Sequence, residues 1–86
     1  MKSDQQLIGS ARRQLGRSQP AAAMRYLAQE FHLGKTDLAW LAVDVYENIM
    51  TPEVQAIWHW DLAATGKGLT DEELNEALSH LHLRPS

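Results

Sequence analysis

The sequence predicts an all-α fold, a compact bundle of about five short helices. Three observations lead there. Apolar residues recur at spacings of three and four along most of the chain. No stretch alternates apolar and polar residues in the β-branched manner of a half-buried strand. Start and stop signals fall at short intervals, and 86 residues suffice for one domain over 1–86.

The first helix is expected over about 4–16. Ser3 or Asp4 can cap it, Leu7, Ile8, Ala11 and Leu15 form its apolar stripe, and Gly16 stops it. The second spans about 19–33. Ser18 can cap it, and Pro20 suits a first turn whose N–H groups have no helical partner. Met24, Leu27, Ala28 and Phe31 face inward, and Gly34 is expected to take the left-handed position that ends it.

The third helix, about 37–50, starts at Thr36 with Asp37 favourable at the positive end of the helix dipole. Leu38, Leu41, Ala42, Val45 and Ile49 face one way, and Ala39, Val43, Tyr46 and Met50 extend the apolar surface to a second side. A helix apolar over so much of its girth is expected at the centre. The fourth, about 52–65, opens with Thr51-Pro52-Glu53 as cap, first-turn proline and acid. The fifth, about 71–82, has a capping box in Thr70–Glu73 and a hydrophobic staple between Leu69 and Leu74. Arg84-Pro85-Ser86 reads as a tail.

The formal charge is −3, unevenly spread. Residues 1–25 carry Lys2, Arg12, Arg13, Arg17 and Arg25 against Asp4, a net +4, while 26–86 are net −7. The basic first helix can meet nucleic acid or an acidic partner, or dock on the acidic remainder of its own chain. The absence of cysteine excludes disulfides, thiolate metal sites and cysteine nucleophiles. No apolar run approaches the roughly 18–20 residues of a membrane span, and the first residues lack the apolar segment of a secretory signal. A cytoplasmic protein is expected.

Residues 26–45, Tyr26-Leu27-Ala28-Gln29-Glu30-Phe31-His32-Leu33-Gly34-Lys35 through Val45, resemble the helix-turn-helix pattern of bacterial and phage DNA-binding domains. Ala28 stands where the two helices would cross, and Phe31, Leu33, Leu38 and Leu41 at the apolar positions. His32 occupies the place of the usual turn glycine, with Gly34 two residues later. The resemblance implies DNA binding through Arg12, Arg13, Arg17, Arg25, Lys35 and Thr36. The helix that would read bases also carries Asp37 and Asp44, with Glu47 just beyond, which phosphate repels.

A second stretch, Asp61 to Leu74, resembles an EF-hand calcium loop, with Asp61, Gly66 and Glu72 at its first, sixth and twelfth positions. Ala63 and Thr65 stand where acids usually sit, and Lys67 adds a positive charge. No metal and no cofactor is expected. His32, His59, His80 and His82 form no metal-binding pair, no serine has a nucleophile context, and no glycine-rich phosphate loop occurs. Enzymatic activity is not expected.

Successive helical residues turn by about 100°, so Trp58 and Trp60 on one helix would point about 160° apart and only one could face the core. An exposed tryptophan marks a contact surface, because it buries much area at low entropy cost. These residues favour a small non-enzymatic interaction or regulatory protein, with a protein partner or a second copy of itself. Trp40, Tyr46, Trp58 and Trp60 would be its apolar anchors, and Asp44 and Glu47 its rim. An inhibitor or immunity-type role fits the small acidic build. Helix-turn-helix DNA binding is the alternative.

Overall fold

The computed structural model describes residues 5–63 and 65–84. Five α-helices follow one another: α1 Gln5–Arg17, α2 Pro20–Phe31, α3 Lys35–Val45, α4 Thr51–His59 and α5 Asp71–Ala77. The expected capping residues Ser3 and Asp4, and Pro85 and Ser86 of the tail, lie outside the described residues. Helix α1 packs on α2 and α3, α3 on α4, and α5 on α2 and α4. Leu7 and Ala11 of α1, Met24 and Leu27 of α2 and Leu38, Leu41 and Val45 of α3 meet Ile57 of α4 and Leu74 of α5 in one core. All buried residues among those described are hydrophobic. Helix α3 contributes five of them, as expected of a central helix.

The helix boundaries depart from the sequence pattern wherever a distant segment competes for the backbone. Helix α3 ends at Val45 rather than at Met50. Tyr46 turns extended and bridges Leu83 in antiparallel fashion. The Glu47 N–H donates to the His82 carbonyl at 2.8 Å, and the Arg84 N–H to the Val45 carbonyl at 2.8 Å. The Asn48 side chain completes the clasp, donating to the His80 carbonyl at 3.1 Å and accepting the His82 N–H at 2.8 Å. Glu47 and Asn48 thus bond to the chain end, while the Tyr46 N–H keeps its helical bond to the Ala42 carbonyl.

Helix α4 stops at His59, not near Thr65, for the same kind of reason. Trp60 is extended and bridges Leu69. The Leu69 N–H donates to the His59 carbonyl at 2.8 Å, and the Asp61 N–H to the Leu69 carbonyl at 3.0 Å. Gly68 makes the approach possible. Its φ is +107°, and a Cβ there would overlap the His59 carbonyl oxygen. Helix α5 is also shorter than expected, its final turn breaking at Leu78.

Four caps differ from the sequence reading, the N-cap of α3 at Gly34 rather than Thr36 among them. Gln19, not Ser18, is the N-cap of α2, without a side-chain bond. The first-turn N–H of Ala21 is instead accepted by Asn75 Oδ1 of α5, at 2.8 Å. Met50, not Thr51, caps α4, and its N–H donates to Glu53 Oε1 at 2.8 Å. His32, not Gly34, takes the left-handed conformation after α2, with φ 57° and ψ 51°. The Leu33 N–H then closes onto the Ala28 carbonyl at 2.9 Å, in the bonding pattern of a Schellman motif. Gly34 is extended and forms the N-cap of α3, its N–H donating to Asp37 Oδ2 at 3.2 Å. The capping box of α5 forms as expected, with Thr70 Oγ1 accepting from the Glu73 N–H and Glu73 Oε1 from the Thr70 N–H.

Two substitutions check this account by thermal or urea unfolding. Gly68→Ala is expected to cost more than about 2 kcal/mol, since strain at positive φ adds to overlap with backbone. His32→Gly is expected to stabilise by roughly 0.5–1 kcal/mol by relieving a side chain held in the left-handed region.

Candidate interaction surface

Helices α3 and α4 lie side by side with their outer faces incompletely covered. Between them runs an apolar groove of about 240 Å³, floored by Ala39, Val43 and Val54 and walled by Thr36, Trp40 and Trp58. Ala39 is small, so the floor is low between the two indoles. Trp40 is 52% exposed and Trp58 45%. Their spacing on each helix explains the pairing. Trp40 lies one turn after Thr36 and one before Val43, and Trp58 one turn after Val54. Asp44 and Glu47 are exposed beyond Trp40.

The other two expected anchors are not on this surface. Trp60 is fully buried and Tyr46 only 4% exposed. Both fall at the residue where a helix gives way to an extended bridge, which turns the side chain inward. Burial pushes the Tyr46 phenol up to about 12, so it stays neutral over the ordinary pH range. Val43 reads in the sequence only as part of a second apolar side of its helix, and neither it nor Val54 as a site residue, because a valine on a helix reads as core.

Trp60 instead belongs to a polar clasp that holds three segments together. The guanidinium of Arg25, on α2, forks onto Asp71 at the start of α5, with Nε–Oδ2 3.0 Å and Nη2–Oδ1 2.6 Å. Its remaining N–H groups donate to the carbonyls of Leu62, 2.5 Å, and Asp61, 3.1 Å. The Trp60 indole N–H donates to Asp71 Oδ1 at 3.0 Å, and the Arg25 guanidinium lies 4.9 Å from the centre of the Trp60 ring. Arg25 holds the Asp71 carboxyl below the usual carboxylate value.

The residues proposed for DNA are therefore divided. Arg25 is engaged inside the fold. Lys35 Nζ donates to the carbonyls of Trp58 at 2.9 Å and Trp60 at 3.3 Å, which closes the C-terminal end of α4. Thr36 lines the apolar groove. Arg13 and Arg17 are exposed on α1, and Arg12 is half-buried on the same helix. Helices α2 and α3 pack on each other less than any of the pairs named above, so Ala28 does not serve as a close helix crossing. His32 nevertheless has the backbone conformation of the turn residue it replaces.

In the stretch that resembles a calcium loop, Asp61 serves the turn itself. Its Oδ1 accepts from the Thr65 N–H at 2.9 Å and the Thr65 hydroxyl at 3.0 Å, and its Oδ2 from the Gly66 N–H at 2.8 Å. These bonds, the Thr65 N–H first, hold its carboxyl below the usual value. No group of three or more His, Cys, Asp or Glu among the described residues is placed to hold a metal ion. No helix among them is long and apolar enough to cross a membrane. No protein-family model, curated protein or solved structure matches this chain.

The clasp predicts an acid-sensitive contribution to stability. Asp71 has a lowered folded-state value, so its contribution is present above the ordinary 3.8 and is lost as the pH falls through that lowered value. Asp71→Asn is expected to unfold at lower urea than the wild type near neutrality, with the gap narrowing as the pH falls below about 4. A constant gap down to strongly acid pH contradicts the ion pair. Arg25→Lys keeps the charge and loses the fork, and should cost about 1–2 kcal/mol in the same assay.

Proposed function

We propose that this chain is a small non-enzymatic interaction or regulatory module that binds a protein partner through the groove between Trp40 and Trp58. The observation that supports this reading is the division of the three tryptophans. Trp60 is buried in the core, whereas Trp40 and Trp58 stand exposed on the walls of one apolar groove. Core packing leaves those two indoles half in water, and tryptophan is enriched among the residues that carry binding energy at protein interfaces. The groove volume lies below the roughly 300–1,000 Å³ of ordinary small-molecule sites and suits a few side chains of a partner.

Helix-turn-helix DNA binding is the alternative, favoured by the conformation of His32 and by Arg12, Arg13 and Arg17 on α1. It would require Arg25 and Lys35 to leave their internal acceptors, and it would bring Asp37 and Asp44 toward phosphate. Its signature is affinity for duplex DNA that falls steeply with salt and is lost in Arg13→Ala with Arg17→Ala.

Partner capture separates the roles of the tryptophans. Trp40→Ala and Trp58→Ala should each abolish capture and cost about 1–2 kcal/mol of stability, for the half of each indole that packs against its neighbours. Trp60→Ala should cost about 3–5 kcal/mol. Undiminished capture by both folded surface variants, read by pull-down alongside circular dichroism, would remove the groove from the function.

A further inference from the structure

The charges beside the groove bear on what it would take, an inference that rests on the groove reading above. Asp37 stands three residues before Trp40 and Asp44 four after it, so both carboxylates share the outer face of α3 with the indole. Seven residues of helix separate them by ~10.5 Å along the axis. Across the groove, the exposed residues Thr51 and Gln55 of α4 are uncharged. Two cations reach main-chain carbonyls of groove residues. Lys35 Nζ donates to the Trp58 carbonyl at 2.9 Å, and Arg84 Nη2 to the Val43 carbonyl at 3.4 Å. Both are turned onto backbone, at the C-terminal ends of α4 and α3, and neither pairs with Asp37 or Asp44. Asp37 Oδ2 accepts the Gly34 N–H, and Asp44 is exposed.

We propose that the groove takes an amphipathic helix whose apolar stripe is bordered by Lys or Arg on the side that meets α3. A hollow between two neighbouring helices receives a third by ridge-into-groove packing. Cations spaced by two turns on that helix reach Asp37 and Asp44 together, and one between them also meets the face of Trp40. A second copy of the chain fits poorly. A two-fold pairing of this surface with itself would bring the same carboxylates together. The basic helix of the chain, α1, buries its apolar residues Leu7 and Ala11 in its own core.

Three synthetic helical peptides test the inference. They share one leucine stripe and carry Lys, Gln or Glu at flanking positions seven apart. Binding to the full ¹⁵N-labelled chain is read from the indole N–H signals of Trp40 and Trp58. The Lys peptide should shift both signals and bind about tenfold more tightly than the Glu peptide at low salt, with the gap shrinking as salt rises. Asp44→Lys, an exposed change outside any cap, leaves one charge of each sign beside Trp40 and should remove most of that preference. Equal binding of all three at the indoles overturns the basic helix as occupant while supporting the groove as an interaction site. No indole shift with any peptide overturns the helix itself, and the groove reading falls with it only if Trp40→Ala and Trp58→Ala also retain the partner. Self-association in sedimentation that is lost in Trp40→Ala would make the occupant a second copy and likewise overturn the proposal.

Discussion

Arg25 joins segments that share no neighbourhood in the sequence. Its guanidinium projects from α2 onto Asp71 at the head of α5 and onto the carbonyls of Asp61 and Leu62 after α4. Those carbonyls belong to a segment that has left the helix and cannot satisfy itself. Asp71 in turn receives the Trp60 indole N–H, which allows a large ring with one polar atom to be fully buried. Remove the guanidinium and a carboxylate, two carbonyls and the packing of an indole all lose a partner at once. Asn75 of α5 adds a second tie by accepting the first free N–H of α2. Through these contacts a short helix is fixed on the bundle with only one of its own residues, Leu74, fully in the core.

The two bridged segments have a related effect on the surface. Ending α4 at His59 swings Trp60 inward and leaves Trp58 outside. Ending α3 at Val45 does the same for Tyr46, while Trp40 stays on the outer face. The exposed indoles are therefore what remains once the chain reversals have drawn the neighbouring aromatics into the core. Gly68 is essential to one reversal, because only a residue without Cβ lets the loop pass so close to His59.

Charge is redistributed by the same folding. Arg25 and Lys35 satisfy carbonyls at and just after the end of α4, which leaves Arg13 and Arg17 of α1 as the exposed arginines of the basic set read from the sequence. The outer face of α3 keeps Asp37 and Asp44. Of the cations behind the net +4 of the first 25 residues, Arg25 on the second helix pairs with an acid of the remainder, whereas Arg13 and Arg17 on the first helix stay exposed.

The sequence by itself determined the all-helical class, the number and order of helices, the central position of α3 and the capping box of α5, since these follow from local periodicity and from groups within four residues of one another. It also indicated that one member of the Trp58–Trp60 pair would face out. It could not assign which one. The ends of α3 and α4 are decided by backbone hydrogen bonds with His82, Arg84 and Leu69, and nothing within either helical pattern announces them. The partnership of Arg25 with Asp71, 46 residues away, is equally invisible in a linear pattern that reads the arginine as surface charge. His32 shows the same limit on a smaller scale. Glycine is the residue expected at positive φ, yet the burial of Leu33 and its bond to Ala28 hold a histidine there. Tertiary contacts chose among locally acceptable conformations, and that choice built the groove.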